Sequence, residues 1–137
     1  MRSPCLALLL CFLFFGPLSD AGGEEPRLEP LFRSVDLDLG QSRQVVLPDG
    51  TTATVKLLAV KEQRDPVRHA LRGAELSVEV NGVRGSLPCA TYNLPTVLGG
   101  VRIDCPVIKG YLRSYSNYWA IDRDARFRIW PQDGPLI

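Results

Sequence analysis

The residues best equipped for chemistry in this chain are its carboxylates, a pair of cysteines in its second half and a single histidine. Asp36 with Asp38, and Asp122 with Asp124, alternate along the sequence, so in an extended backbone each pair shares a face. Paired carboxylates are how glycosidases cleave without histidine. The same spacing beside other charges also describes a solvated strand face or a turn. Calcium would need more oxygen ligands, in a twelve-residue loop with a central glycine and a distal glutamate, and no such loop is present. His69 lies in a charged stretch and reads as a solvated loop residue, which removes most histidine-dependent hydrolysis. No Gly-x-Ser-x-Gly elbow or Ser-x-x-Lys motif offers an activated serine. The sequence thus implies no catalytic residue, no metal and no cofactor.

Cys89 and Cys105 are the cysteines that remain once the amino-terminal segment is removed, and an oxidising compartment favours their pairing. A bridge closing a loop of that span contributes about 3 kcal/mol in the chain-entropy model. The spacing is not that of a Cys-x-x-Cys redox pair, and a zinc site needs further ligands. A disulfide is therefore expected.

The segment from Tyr111 to Trp119 is the best candidate for recognition. Tyr111, Tyr115, Tyr118 and Trp119 cluster there with Arg113, Ser114, Ser116 and Asn117, and aromatic faces beside polar donors suit a sugar ring or a peptide. The competing interpretation is that these rings complete the core of a small β domain. Tyr111, Arg113, Tyr115, Tyr118 and Trp119 are the candidate binding residues.

The segments that must position these groups begin with a leader. Arg2 precedes an apolar run from Cys5 to Phe15, and Ser19-Asp20-Ala21 resembles a small-x-small cleavage site, so residues 1–21 read as a signal peptide cut after Ala21. A membrane span needs about 20 apolar residues, and Gly16-Pro17 interrupts this run, so no stable membrane insertion is expected after cleavage. Neither Cys5 nor Cys11 has a small-residue context suited to lipid attachment. Residues 22–31, rich in glycine, proline and charge, read as a flexible leader. Residues 32–137 form one domain, since 137 residues with 45% hydrophobic content leave room for one core and hardly for two.

Within that domain the period is two. Val35, Leu37 and Leu39 alternate with Ser34, Asp36 and Asp38; Arg43 to Leu47 runs into a Pro48-Asp49-Gly50 turn; and in Thr52 to Glu62, Ala53, Val55, Leu57 and Ala59 share one face of an expected central strand. Glu62 to Arg72 reads as a loop with room for one helical turn around Val67 to Leu71. Glu75 to Val80 and Val83 to Leu87 flank Asn81-Gly82, the mark of a two-residue hairpin. Val101 to Ile108 and Ala125 to Trp130 complete the set. Six or seven short strands without amphipathic helices imply an all-β fold, a small antiparallel sandwich or a partly open barrel.

The formal net charge is +1, and the signal peptide carries one base and one acid, so the mature chain keeps that value. Nucleic acid is not an expected partner, and a secreted or periplasmic location is.

Val101-Arg102-Ile103-Asp104-Cys105-Pro106, Gly110-Tyr111 and the block from Asp122 to Pro131 resemble the amino-terminal β region of bacterial secreted, lysostaphin-type zinc endopeptidases. The resemblance extends upstream over Leu47 to Val80. The His-x-x-x-Asp and His-x-His motifs that hold zinc in the catalytic half of that family are absent here: Gly73 stands four residues after His69, and there is no second histidine. The resemblance implies a non-catalytic accessory module, free-standing or detached from a catalytic half, whose partner is a cell-wall polymer or a peptidase domain. Three other roles stay open: a secreted carbohydrate-binding domain, a protease inhibitor presenting the loop between the cysteines, and a small carboxylate-dependent hydrolase.

Overall fold

The computed structural model describes residues 28–90, 92–112 and 121–137. The expected signal peptide and most of the flexible leader lie outside them. Eight strands follow one another: β1 (Arg33–Leu37), β2 (Ser42–Val46), β3 (Thr52–Arg64), β4 (Leu71–Val80), β5 (Val83–Cys89), β6 (Thr96–Leu98), β7 (Val101–Ile108) and, after the short helix α1 (Lys109–Leu112), β8 (Ala125–Pro131). The fold is all-β. The strands order as β1-β8-β7-β5-β4-β3-β2, with β6 on the edge of β7. The two ends of that order come together: the Gln41 N–H donates to the Asp38 carbonyl (2.9 Å) in the turn joining β1 to β2, and Arg33 Nε donates to the Val46 carbonyl (3.2 Å). The result is a nearly closed barrel rather than a sandwich.

Local chemistry explains the turns. Asn81 and Gly82 both take positive φ (49° and 81°), as a two-residue hairpin demands, and Val80 pairs with Val83 across them. At the β2 to β3 turn, Gly50 has φ 84°, and Asp49 Oδ1 accepts from both the Thr51 N–H and its hydroxyl. Those bonds hold the Asp49 carboxyl below its ordinary pKa.

Three expectations change. β3 is next to the end of the strand order, not central, because β2 returns beside it and β8 crosses to β1 instead. Ala59 does not continue the buried face of Ala53, Val55 and Leu57: the register shifts between Leu57 and Ala59, so Leu58 is the extra residue of a bulge and Val60 takes up the packing against the core. The loop expected from Glu62 to Arg72 is shorter, since β3 runs to Arg64 and β4 starts at Leu71, and its one helical turn falls two residues early, where the His69 N–H donates to the Asp65 carbonyl at 2.8 Å. There Asp65 Oδ1 accepts from the Val67 and Arg68 N–H groups, and His69 stands exposed at φ 53°. β6 and α1 were not legible in the pattern at all, being too short to show a period.

Inward residues of six strands make one core, including Leu37, Leu57, Leu76, Leu87, Ile103 and Phe127, all fully buried. At the β6 to β7 turn Gly99 has φ +60°, and a Cβ there would stand 2.2 Å from the Val80 carbonyl oxygen. The Asn81 amide donates to the Gly99 carbonyl at 2.7 Å, so that turn is hooked onto the β4 to β5 hairpin.

Two substitutions check this architecture by urea denaturation. Phe127→Ala should cost about 3–5 kcal/mol through cavity formation, and Gly99→Ala more than about 1 kcal/mol through strain and backbone collision. Equal stability of either variant and the parent would contradict the packing described.

Candidate functional site

The carboxylates singled out by spacing are engaged with the framework. Asp36 faces Arg126 across β1 and β8, each carboxylate oxygen accepting one guanidinium N–H at 2.7 Å. Asp38 Oδ2 accepts from Arg123 Nη1 at 2.6 Å, and Asp124 Oδ2 accepts from the Leu39 N–H at 2.8 Å. Asp122 is exposed, and its carbonyl receives Lys109 Nζ at 3.1 Å. The pairs expected to share a face for acid–base work are thus divided among separate partners.

A further carboxylate, which spacing did not single out, is the most buried charged group among the described residues. Asp104 on β7 is 5% exposed and forms a bidentate pair with Arg128 on β8, Nε to Oδ1 at 2.9 Å and Nη2 to Oδ2. The Arg128 guanidinium also lies over the rings of Phe32 (5.7 Å) and Trp130 (5.2 Å), which pack on each other at 4.9 Å. The carboxylate and both rings favour the cation, and Asp104 holds the Arg128 guanidinium above its ordinary pKa. Alternation on β8 marked Arg126 and Arg128 as outward; what stayed hidden was that β7 and β1 flank β8 and supply the opposite charges.

The expected disulfide is not formed: Cys89 and Cys105 are free, buried thiols. They are direct partners on parallel strands, the one register pair joining β5 to β7. Cys105 Sγ donates to the Val107 carbonyl at 3.5 Å. The neighbouring Cys105 side chain lowers the pKa of Cys89, while the Cys89 side chain and burial raise the pKa of Cys105.

Of the five candidate binding residues, only Tyr111 lies among the described ones. It is half-buried and packs against the core from α1, and burial raises its phenol pKa. Arg113, Tyr115, Tyr118 and Trp119 lie outside the described residues. Both flanks of their segment are tied together, however: the Lys109 N–H donates to the Asp124 carbonyl at 2.9 Å, beside the contact of Lys109 Nζ with Asp122. Gly110 fits closely beneath them, since a Cβ there would stand 2.2 Å from Glu62 Oε1. Next to this base is a small cleft of about 210 Å³ between Glu62, Lys109 and Asp124. A larger cleft of about 690 Å³, walled by Pro48, Pro131 and Pro135 with Asp49 and Asp133, lies where the strand turns and the carboxyl-terminal segment meet. A third, of about 410 Å³, is lined largely by arginine.

Comparison of the chain with models of protein families, with curated proteins and with solved structures finds no match. Among the described residues no helix is long and apolar enough to cross a membrane.

Two outcomes follow from this chemistry. The Trp130 indole N–H is buried without a partner among the described residues, so Trp130→Phe should cost under about 1 kcal/mol, whereas Trp130→Ala should cost about 3 kcal/mol or more. Chemical denaturation of both variants decides this, and a large loss in the phenylalanine variant would reveal a hydrogen bond. The thiols give a pH dependence. Cys105 has a folded pKa raised above its unfolded value of about 8.5, so its contribution is full below that pH and falls as the pH rises past it. Cys89, lowered by its neighbour, opposes this, but burial disfavours the thiolate at both positions, so the pair together favours the neutral form in the fold. The denaturation midpoint should therefore drop from pH 8 to pH 10, with a flatter profile in Cys105→Ala. Alkylation followed by peptide mapping should label both cysteines only after unfolding, without a reductant.

Proposed function

We propose that this chain is a non-catalytic extracytoplasmic β module that docks a partner at the cell envelope. By the resemblance of its 101–135 block, it is an accessory to a lysostaphin-type zinc endopeptidase. The partner is the peptidase domain or the cell-wall polymer on which such an enzyme works, and the chain reaches that location through cleavage after Ala21. The observation that carries the proposal is the clamped base of the aromatic segment. Lys109 joins the carbonyls of Asp122 and Asp124 by two hydrogen bonds, so the two flanks of the segment bearing Arg113, Tyr115, Tyr118 and Trp119 are held at one place. A recognition segment anchored on a rigid scaffold is a common arrangement for binding. The engagement of Asp36, Asp38 and Asp124 in structural contacts favours docking over carboxylate-dependent hydrolysis. The inhibitor alternative loses its premise of a stapled loop, because the two cysteines are free.

Co-sedimentation with purified peptidoglycan, and a parallel titration against an isolated lysostaphin-type peptidase domain, test the proposal. Saturable binding to one of them, weakened about tenfold or more by Tyr115→Ala or Tyr118→Ala with an unchanged denaturation midpoint, is expected for interface aromatics. Absence of binding to both across a range of salt and pH would overturn it. Turnover of a glycan or peptide substrate that is abolished by Asp122→Asn or Asp124→Asn would replace it with a hydrolase.

A further inference from the structure

The arginine-lined cleft shares no lining residue with the cleft beside Lys109 and is built from three parts of the chain. Arg43 comes from β2, Arg126 from β8 and Arg123 from the approach to β8, and Ser34, Val35 and Asp36 of β1 complete the lining. A guanidinium carries five N–H donors and accepts nothing. Arg126 uses Nε and Nη2 on the two oxygens of Asp36, leaving its Nη1 donors. Arg123 uses Nη1 on Asp38 and on Gln41 Oε1, leaving Nε and Nη2. Arg43 is exposed and makes no hydrogen bond or ion pair among the described residues. The single carboxylate in the lining is Asp36, whose two oxygens are both taken, and a positive excess remains even when Asp38 is counted.

We infer that this cleft is an oxyanion site, one that takes a phosphate or sulfate group either free or displayed on a polymer. Charge and donor supply point the same way: three guanidinium groups offer more N–H donors than the lining has acceptors, and planar guanidinium forks match tetrahedral oxyanions. Arg123 and Arg126 are held by their carboxylates before any ligand arrives, so little side-chain freedom is lost on binding. At about 410 Å³ the cleft exceeds what one oxyanion fills, leaving space for the group that carries it. An anion here would also join β2 to β8 across the place where β1 and β2, the ends of the strand order, meet. The inference is independent of the peptidase-accessory proposal: either can fail while the other stands.

The test is a titration followed by backbone amide shifts, with inorganic phosphate as one arm and dextran sulfate, against neutral dextran, as the other. Saturable shifts at Ser34, Asp36, Arg43 and Arg126 are expected in at least one arm. Phosphate identifies a site for a free anion, and dextran sulfate alone identifies a polymer site. Binding should weaken with added salt. Arg43→Gln removes an exposed side chain that holds nothing else and should weaken binding about tenfold, the loss of one charge-assisted contact. Arg84→Gln, a comparably exposed arginine on β5, should leave it unchanged. No saturable shift in either arm, or equal loss in the two variants, would overturn the inference, the latter because it would mark attraction by overall charge.

Discussion

The barrel depends on one register pair. β5 and β7 run parallel and meet as strands only at Cys89 and Cys105; beyond that point the gap between them is occupied by β6, whose Leu98 lies on Gly85 so closely that a Cβ there would stand 2.8 Å from a Leu98 methyl. The two halves, β1-β8-β7-β6 and β2-β3-β4-β5, are therefore united less by backbone hydrogen bonds than by shared packing. Phe127, Ile129 and Ile103 of one half pack in the same core as Leu57, Leu76 and Leu87 of the other. Small buried thiols at the crossing suit that role. They tolerate close approach of the strands, the Cys105 thiol donates to the Val107 carbonyl, and they place no bulk where the halves converge.

The outer face of the first half solves a different problem. A one-residue slip in register would turn every inward residue outward, and β1, β8 and β7 are too short to resist it through many ladder bonds. Asp36 with Arg126, and Asp104 with Arg128, fix the register chemically, because a slip would separate the bidentate partners and drive charges toward the core. Removing Asp104 from water is costly, and it is offset by two charged hydrogen bonds and by the rings of Phe32 and Trp130 around its partner. The net stabilisation from such a pair is small in general, so its stronger effect here is specificity of pairing.

Much of this was readable from residue order, and the failures have physical causes. Alternation located the inward residues of β4 and β8 and those of β1 as far as Leu37, though Leu39, expected on the same face, is exposed; Asn81-Gly82 located a hairpin down to its dihedrals, because both signals are local. The bulge at Leu58 was invisible, since its cause is the partner strand's register and not the β3 sequence, so Ala59 was placed on the wrong face. The disulfide between Cys89 and Cys105 was inferred from compartment and count. Neither carries information about distance, and the two thiols face each other on neighbouring strands without being bonded. The arginine cleft escaped detection for the same reason: Arg43, Arg123 and Arg126 are scattered in sequence and meet only through closure of the barrel.

That closure also engages the carboxylates that spacing singled out. Residues that spacing nominated for catalysis lie where strands must be held in register, and there Asp36, Asp38 and Asp124 satisfy arginines and a backbone N–H of the same fold. The aromatic segment, by contrast, is inserted between α1 and β8, at a point where Tyr111 packs against the core and Lys109 ties together the chain on either side. The register pairs described between β7 and β8 all lie outside residues 113–120. Asp124 belongs to both: its carboxylate accepts from the Leu39 N–H after β1 and its carbonyl from the Lys109 N–H of α1, so closure of the barrel also fixes the two flanks of residues 113–120.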